Sequence, residues 1–281
     1  MLEIIKVIDL HKIYNYQLKF SVPYFFSVDF NIWKKSFEED IDGEGRTLFK
    51  ELLVKVAYVN NRIVGFIQYG KTAFGFKDNG DISSEISYSV IRNLYFDKDR
   101  EEAGKLLLDE AMEYFKTSEK VYAFFHYFGM SCFARHGKLF EKYNYIEALL
   151  NKRGFELEHE NVYYSSPLKA VKSTNVQLVP HNLTKGNQQY IDFMLEGGKV
   201  GGCEVHYIDN AGVAYLRWIY VSDNIMGRGI GSQCMASLKH WLSEKGFLRF
   251  DTDTALSNVV AQHYYEKNDF LREGITRSYY L

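Results

Sequence analysis

The stretch of sequence that decides the fold is AYLRWIYVSDNIMGRGIGSQCMASLKHWLSEKG, which runs from Ala214 to Gly246. Its first residues are apolar and predict a strand that ends near Val221. A short loop follows, and the glycine-rich segment Gly227–Gly231 then begins a helix. Apolar residues on one stripe of that helix predict that it packs against a sheet. The stripe consists of Ile230, Cys234, Leu238 and Leu242.

The glycine-rich segment Gly227-Arg228-Gly229-Ile230-Gly231 predicts a phosphate site. Glycine has no Cβ, so the backbone can approach a ligand closely. The first turn of a helix also offers N–H groups that have no partner within the helix, and the helix dipole favours an anion there. The alternative is a glycine-rich turn that binds no ligand.

Sequence features that recur in the same order indicate an internal duplication. VAYVNNRIVGFIQYG predicts a hairpin around Asn60-Asn61, and YIDFMLEGGKVGGCEVHYID predicts another around Gly197-Gly198. Each is followed by a strand, from Ile91 and from Leu216, and then by an amphipathic helix. The copies end alike, as NKRGF before VYYS and as EKNDF before SYYL. Two copies of one βα unit explain this order.

The predicted fold is therefore α/β (α+β), with two tandem units that each contain a mixed, twisted sheet flanked by helices. We expect a boundary in the polar stretch near residues 165–173, which gives domains at residues 1–167 and 168–281. The first copy opens with an aromatic segment, Phe20–Asp40, that predicts helices. The second copy has only the polar stretch His181–Gln189 at that place.

Composition excludes several classes of protein. The 281 residues carry 34 basic and 36 acidic side chains, so the chain lacks the basic surface that nucleic-acid binding requires. The N-terminus is charged, and the longest aromatic run, Val121–Ala134, is too short to span a bilayer. The three cysteines have neither disulfide nor metal-site spacing. We expect a cytoplasmic protein that binds small molecules, with no membrane partner and no metal.

Two known phosphate-binding loops fit this segment poorly. A P-loop requires Gly-Lys-Ser/Thr, but Gly231 is followed by Ser232-Gln233. A dinucleotide-binding fold is closer, because Asp251 follows at the place of a ribose-binding acid. In that fold the first glycine follows the strand directly, whereas here residues 222–226 intervene, and few strands remain to complete the sheet. A dinucleotide-binding enzyme is thus the weaker alternative.

The segment from Met226 to Gly231 resembles the pyrophosphate loop of the GNAT superfamily of acyl-CoA-dependent N-acyltransferases, [QR]-x-x-G-x-[GA]. Met226 departs from the preferred Gln or Arg, which removes a polar side chain but keeps the backbone N–H groups. Downstream, Asn258 lies seven residues before Tyr265 of a segment that resembles the family's Y-E-K-x-G-F, with Asp269 in place of its glycine. The resemblance covers about residues 176–281 and implies a tandem arrangement.

The resemblance implies transfer of an acetyl group from acetyl-CoA to an amine, by direct attack in a ternary complex. It implies that N–H groups at Tyr220 and Val221 stabilise the oxyanion and that Tyr265 protonates the leaving thiolate. Asn258 also suits the cap of the following helix. The residues assigned to acetyl-CoA are Ile219, Tyr220, Val221, Met226, Gly227, Arg228, Gly229, Ile230, Gly231, Ser232, Asn258 and Tyr265.

The acceptor amine requires a base, since an alkylammonium with a pKa of about 10.4 is not nucleophilic at neutral pH. Alternation along a strand places Glu204 and His206 on one face, beside the strand that ends at Val221. We predict Glu204 as the base, then His206, with Asp253 in reserve; exposure of the first two to solvent is the alternative. Because the second copy lacks opening helices, we expect Phe20–Asp40 to cover the acceptor pocket.

The first copy is expected to keep the fold and to have lost the acetyl-CoA site. In register, Glu101–Leu106 replaces the loop and retains only Gly104. Its two glutamates would repel a pyrophosphate. Leu150 stands at the position of Tyr265 and has no hydroxyl. A non-catalytic module that binds acyl-CoA or a partner protein remains the alternative function from another class.

Overall fold

The computed structural model describes residues 2–6, 9–168, 174–225 and 227–281. Fifteen strands lie in this part of the chain: β1 Leu2–Lys6, β2 Phe49–Val59, β3 Arg62–Thr72, β4 Gly75–Phe76, β5 Ile82–Ser83, β6 Ser89–Phe96, β7 Val121–Ala123, β8 Leu139–Phe140, β9 Glu156–Pro167, β10 Gln177–Pro180, β11 Gln188–Leu195, β12 Gly198–Ile208, β13 Val213–Val221, β14 Arg249–Ala255 and β15 Leu271–Tyr280. Its six α-helices are α1 Leu10–Gln17, α2 Phe30–Glu38, α3 Glu101–Tyr114, α4 Asn144–Lys152, α5 Ile230–Glu244 and α6 Val259–Lys267.

The chain forms two compact units that are not contiguous in sequence. Unit 1 consists of residues 1–42, 46–160 and 276–281, and unit 2 of residues 43–45 and 161–275. Strands β9 and β15 therefore each contribute to both units. The predicted boundary after residue 167 adjoins residues 169–173, which lie outside the described residues.

In unit 1 the strands have the order β1-β2-β3-β6-β7, followed by the end of β15. Asn60 and Asn61 both have positive φ, at 50° and 62°, which confirms the predicted hairpin between β2 and β3. Strands β3 and β6 are antiparallel, and β6 and β7 are parallel with α3 in the crossover. Arg92 is an extra residue in the pairing of β6 with β3 and forms a β-bulge.

In unit 2 the strands have the order β10-β11-β12-β13-β14, followed by residues 161–167 of β9. The predicted second hairpin is present, but its turn is Glu196-Gly197, and Gly198 already belongs to β12. The two turn residues have φ values of 50° and 80°, the mirror-image conformation that fits the strand twist. Arg217 is an extra residue in the pairing of β13 with β12.

The two bulges support the internal duplication. Arg92 and Arg217 lie two residues before Leu94 and Ile219, which are equivalent in the predicted register. Two glycines also lie at equivalent places: Gly65 pairs with the end of β6, and Gly201 pairs with the end of β13. A Cβ at Gly65 would lie 2.8 Å from Cβ of Phe96, and one at Gly201 would overlap the carbonyl oxygen of Tyr220. The dipeptides Val64-Gly65 and Val200-Gly201 therefore mark the same close approach of two strands in each copy.

The last strands of the two copies are exchanged. In unit 2, β9, which follows α4 of the first copy, pairs with β14 from Asn161 to Pro167. In unit 1, the end of β15, which follows α6 of the second copy, pairs with β7 at Tyr279 and Tyr280. Each unit therefore contains a strand segment from the other copy.

The segment Phe20–Asp40, predicted to form helices, contains one. Only α2 lies within Phe20–Asp40, because α1 ends at Gln17 and residues 21–29 are irregular. Helix α2 buries Trp33 and Phe37 in unit 1. The second copy has no helix between residues 174 and 187, as expected from its polar sequence. Coverage of the acceptor pocket by Phe20–Asp40 stays a prediction.

No helix in the described part of the chain is long and apolar enough to cross a membrane. Cys132, Cys203 and Cys234 are all buried and reduced.

Candidate active site

Two parallel strands of unit 2 separate at their carboxyl ends. Pairing between β13 and β14 ends at Leu216 and Thr252, although β13 continues to Val221 and β14 to Ala255. Strand β14 stays paired with β9 on its other side as far as Ala255. A split thus opens between β13 and β14, and backbone groups on both of its edges lack a strand partner.

The direction of the N–H groups along β13 follows from its pairing with β12. The N–H of Ser222 donates to the carbonyl of Val200 at 2.9 Å. Because this direction alternates along an antiparallel strand, the N–H of Tyr220 points towards β12. The N–H groups of Ile219 and Val221 therefore point into the split.

The glycine-rich loop lies directly after this end of β13. Helix α5 begins at Ile230, and Gly229, which has no capping side chain, precedes it. The first turn contains no acidic residue. Its N–H groups, from Gly229 to Ser232, are thus available to an anion. Met226 lies outside the described residues, whereas Arg228 lies exposed in the loop.

Two glycines give the loop its shape. Gly227 and Gly229 have φ values of +78° and +77°, a left-handed conformation that favours glycine. Among the described residues, and apart from each glycine and its chain neighbours, no atom lies within 4 Å of the position that a Cβ would take at Gly227 or Gly229. The loop thus leaves open space beside its backbone into which a ligand can fit.

Helix α6 contacts the same loop through Tyr264. Its hydroxyl donates to the carbonyl of Gly231 at 2.8 Å, and its ring lies 3.2 Å from a Cβ built on Gly231. Asn258 caps α6, because its side chain accepts the N–H of Ala261 at 3.1 Å. Sequence reasoning missed Tyr264, which joins the two predicted motifs.

Tyr265 lies at the point where the strands separate. Its side chain is 5% exposed, in the core of unit 2, with its ring 5.7 Å from that of Tyr164. Burial raises the pKa of Tyr265, the charge of Asp253 raises it further, and a hydrogen bond with Thr252 opposes the shift. The hydroxyl of Thr252 in turn donates to the carbonyl of Leu216 at 3.0 Å. The phenol thus stays protonated beside the last paired residues of β13 and β14.

Two aspartates of β14 lie on the face of the sheet opposite α5. Asp251 is fully buried and accepts from Tyr163 at 2.6 Å and from Arg249 at 2.7 Å. Burial raises the pKa of Asp251 to about 6, against the opposing charge of Arg249. An enclosed carboxylate with both oxygens bonded does not suit a ribose-binding acid. Asp253 lies just past the last residue of β14 that pairs with β13, and its carboxylate accepts from Tyr215 and from Asn161.

Glu204 and His206 share the face that alternation predicts, opposite Cys203 and Val205 in the core. Glu204 is partly exposed and bonds to Trp218 Nε1 at 3.0 Å and to Arg217 Nε at 3.2 Å. His206 is only 2% exposed, so it does not face solvent.

An exposed aromatic surface lies beside Glu204 on the same face. The ring centres of Tyr190 and Trp218 are 5.3 Å apart, and those of Trp218 and Tyr220 are 6.0 Å apart. Trp218 and Tyr220 are 38% and 44% exposed. Large exposed rings at the end of β13 offer an amphipathic contact surface for a ligand.

Comparison with known proteins agrees with this geometry. Residues 157–270 match the model of the acetyltransferase (GNAT) family. These residues are a GNAT domain. The match includes β10–β14, the loop, α5 and α6, and it begins in β9, the strand exchanged from the first copy. A GNAT domain supports an acyltransferase role in general. No curated protein matches the sequence.

Solved GNAT structures resemble the whole chain. A tandem GNAT protein from the clavulanic acid biosynthesis pathway has a TM-score of 0.66 at 10% identity, over 100% of this chain and 98% of that one. A GCN5-related N-acetyltransferase from Sphaerobacter thermophilus gives 0.62 at 9% identity, over 100% and 95%. These likenesses show the fold, a mixed α/β arrangement of tandem GNAT type.

A glucosamine N-acetyltransferase region of a fungal multidomain β-N-acetylglucosaminidase gives a TM-score of 0.65 at 11% identity. All of this chain is covered, and it spans 38% of the length of that protein. The described residues contain no cluster of three or more His, Cys, Asp or Glu side chains that could hold a metal ion.

Proposed function

We propose that the chain is an N-acetyltransferase that moves an acetyl group from acetyl-CoA to the amine of a small molecule or peptide. The observation that carries this proposal is the split between β13 and β14, which has a glycine-rich helix N-terminus at one end and Tyr265 at its origin. A long, narrow co-substrate with a phosphate group and a reactive thioester fits such a site.

Acetyl-CoA would bind along the unpaired edge of β13. Its pyrophosphate would accept from the N–H groups of residues 229–232, where no acidic side chain opposes it. Its amide-containing arm would run from the loop along this edge of β13 and place the thioester in the split. Arg228, exposed beside the loop, adds a positive charge.

Residues on both sides of the split would perform the proton transfers. Asp253 takes a proton from the acceptor ammonium, directly or through water, and the free amine attacks the thioester carbonyl. The oxyanion accepts from the N–H of Val221, which points into the split. The C–S bond then breaks, and Tyr265 donates its proton to the departing thiolate. The nitrogen of the new amide loses its extra proton, which returns to the phenolate of Tyr265, directly or through water.

The position of Asp253 favours it over Glu204 as the base. Asp253 lies close enough to Tyr265 for its charge to raise the pKa of that phenol. It also lies just past the last pair of β13 and β14. Both carboxylates accept hydrogen bonds, Glu204 from Trp218 and Arg217 and Asp253 from Tyr215 and Asn161, so position alone decides between them. Glu204 lies beside the exposed aromatic rings, which suits a role in binding the acceptor. His206 is buried within the sheet face and has less access to a substrate.

The experiment measures thiol release from acetyl-CoA by the full chain over a panel of amines, as a function of pH. For Asp253→Asn we expect kcat to fall about 10²-fold and the acidic limb of the profile to disappear, because the base is lost. Glu204→Gln is the matched control: it should keep the limb and raise KM for the acceptor. An Asp253→Asn variant with a wild-type profile would remove Asp253 as the base.

The same assay tests the alternative function. If the chain binds CoA in calorimetry but releases no thiol with any amine, it is a non-catalytic acyl-CoA-binding module. Failure to bind CoA would contradict both functions.

A further inference from the structure

A second pocket in unit 2 lies away from the split. It has a volume of about 310 Å³ and is lined by Ser166, Pro167, Met235, Ala236, Lys239, Lys267, Asn268 and Asp269. Lys239 follows the first residue of α5 by nine positions, which is about 13 Å along a helix that rises 1.5 Å per residue. The pocket is therefore distinct from the glycine-rich loop at the start of α5.

Lys239 presents a buried ammonium group to this pocket. Its side chain is only 6% exposed, and its Nζ lies 4.4 Å from the ring centre of Phe270. The ammonium donates to Ser166 Oγ at 2.8 Å and to the backbone carbonyl of Asn268. Both hydrogen-bond partners are uncharged, so neither neutralises the positive charge.

An ammonium group in this setting is costly for the protein. A buried charge that pairs only with neutral groups loses more hydration than it regains. Burial accordingly lowers the pKa of Lys239 to about 8, against the charge of Asp269. An anion that pairs with Lys239 in the pocket would offset the lost hydration free energy of the ammonium.

We propose that the pocket binds a small organic monoanion whose carboxylate pairs with Lys239. The walls formed by Pro167, Met235 and Ala236 suit a short apolar body behind the carboxylate. Lys267 adds a second positive charge. Asp269, also in the lining, disfavours a ligand with a second negative group.

The size of the pocket limits the ligand. At about 30 Å³ for a water-sized group, a volume of about 310 Å³ holds roughly ten such groups. Monocarboxylates with four to eight carbon atoms fit this limit.

The test uses the full chain with hexanoate as the probe and succinate as the matched dianion. Nuclear magnetic resonance of labelled lysine side chains follows the pKa of Lys239, and calorimetry measures affinity. We expect saturating hexanoate to raise the pKa of Lys239 by one unit or more, because the bound carboxylate stabilises the ammonium. Affinity should fall about tenfold per pH unit above pH 8, where free Lys239 loses its proton. Succinate should bind at least tenfold more weakly.

Two variants complete the test. Lys239→Met should abolish hexanoate binding, and Lys245→Met, which removes an exposed charge from the end of the same helix, should leave it unchanged. The proposal is overturned if hexanoate leaves the pKa of Lys239 unchanged, or if Lys239→Met binds hexanoate as wild type does. The pKa measurement on the wild-type chain holds even if Lys239→Met does not fold. Neither readout depends on acetyl transfer.

Discussion

The strand–helix junctions of the two copies share a register but differ in backbone. In the first copy four residues, 97–100, separate β6 from α3, whereas in the second copy eight residues, 222–229, separate β13 from α5. In register, the loop that contains Gly227 and Gly229 corresponds to the first turn of α3. The N–H of Gly104 therefore bonds to the carbonyl of Arg100 within the start of α3, whereas its equivalent, Gly229, precedes α5.

The one glycine that both junctions retain has a different role in each. In α3, a Cβ at Gly104 would lie 2.5 Å from the ring of Phe96, so glycine is needed there for packing. At the equivalent position, Gly229 has φ of +77° and open space where a Cβ would point. A shared glycine in a sequence therefore does not by itself indicate a shared site.

The strands beside the junctions, β7 and β14, also carry different residues at equivalent positions. The pairing registers place Asp251 and Asp253 of β14 at the positions of Tyr122 and Phe124 in and after β7. Beyond the last pair of β6 and β7, the guanidinium of Arg92 donates to the carbonyls of Phe128 and Gly129 at 2.8 and 3.0 Å.

The first copy therefore fills the region that is open in the second with its own chain. The first copy keeps its fold without an open split, without the aspartates of β14 and without a glycine-rich loop. These three features together distinguish the second copy.

The largest expected effects come from substitution of Gly229 and Gly104, the glycine that both junctions retain. Gly229→Leu should reduce CoA affinity by 10³-fold or more, because its side chain would enter the space proposed for the pyrophosphate. The left-handed conformation adds a stability cost of about 1–2 kcal/mol. Gly104→Leu is the matched change: it should lower the free energy of unfolding by several kcal/mol through overpacking against Phe96. Calorimetric titration and denaturant unfolding measure the two effects.

A Gly229→Leu variant that binds CoA normally would contradict the proposed pyrophosphate site. A Gly104→Ala variant that folds should bind CoA as wild type does, because it lies outside the proposed site. If it lost CoA binding without loss of stability, the first junction would also have to contribute to the site.

The next largest effects distinguish the roles of Tyr264 and Tyr265, which are adjacent in α6. Tyr265→Phe removes the proposed acid but keeps the ring, so kcat should fall about 10²-fold with little change in CoA affinity. Tyr264→Phe removes the bond to the Gly231 carbonyl, so it should raise KM for acetyl-CoA by a fewfold and change kcat little. Steady-state kinetics on both variants tests this division. The reverse pattern would assign the acid to Tyr264.

Local sequence signals predicted much of the fold. The hairpins follow from Asn60-Asn61 and from the glycines near residue 197, and the apolar stripe of α5 is buried at Cys234, Leu238 and Leu242 as the periodicity indicates. The glycine-rich loop was recognisable because backbone conformation and ligand contact both demand glycine there. These signals are local, so a single sequence contains them.

Other features depend on contacts between distant residues. The exchange of β9 and β15 leaves no local signal, since each strand has the same alternating pattern whichever partner it pairs with. Similarly, the burial of Lys239 and the position of Asp253 beside Tyr265 arise from packing across the sheet. Such features could not be read from spacing alone.

The last prediction is that a substitution has no effect, and it tests the cause of the site loss that we propose for the first copy. Two causes are available: the negative charges of Glu101 and Glu102, or the helical backbone of that turn. Helix α3 begins at Glu101, and Glu101 also pairs with Lys152 at 2.9 Å, which partly neutralises its charge. Backbone conformation is thus the stronger cause. The double variant Glu101→Gln and Glu102→Gln should still bind one CoA per chain in calorimetry, with unchanged affinity. Appearance of a second site would show that charge alone closed the first copy, and the comparison of backbones would lose its basis.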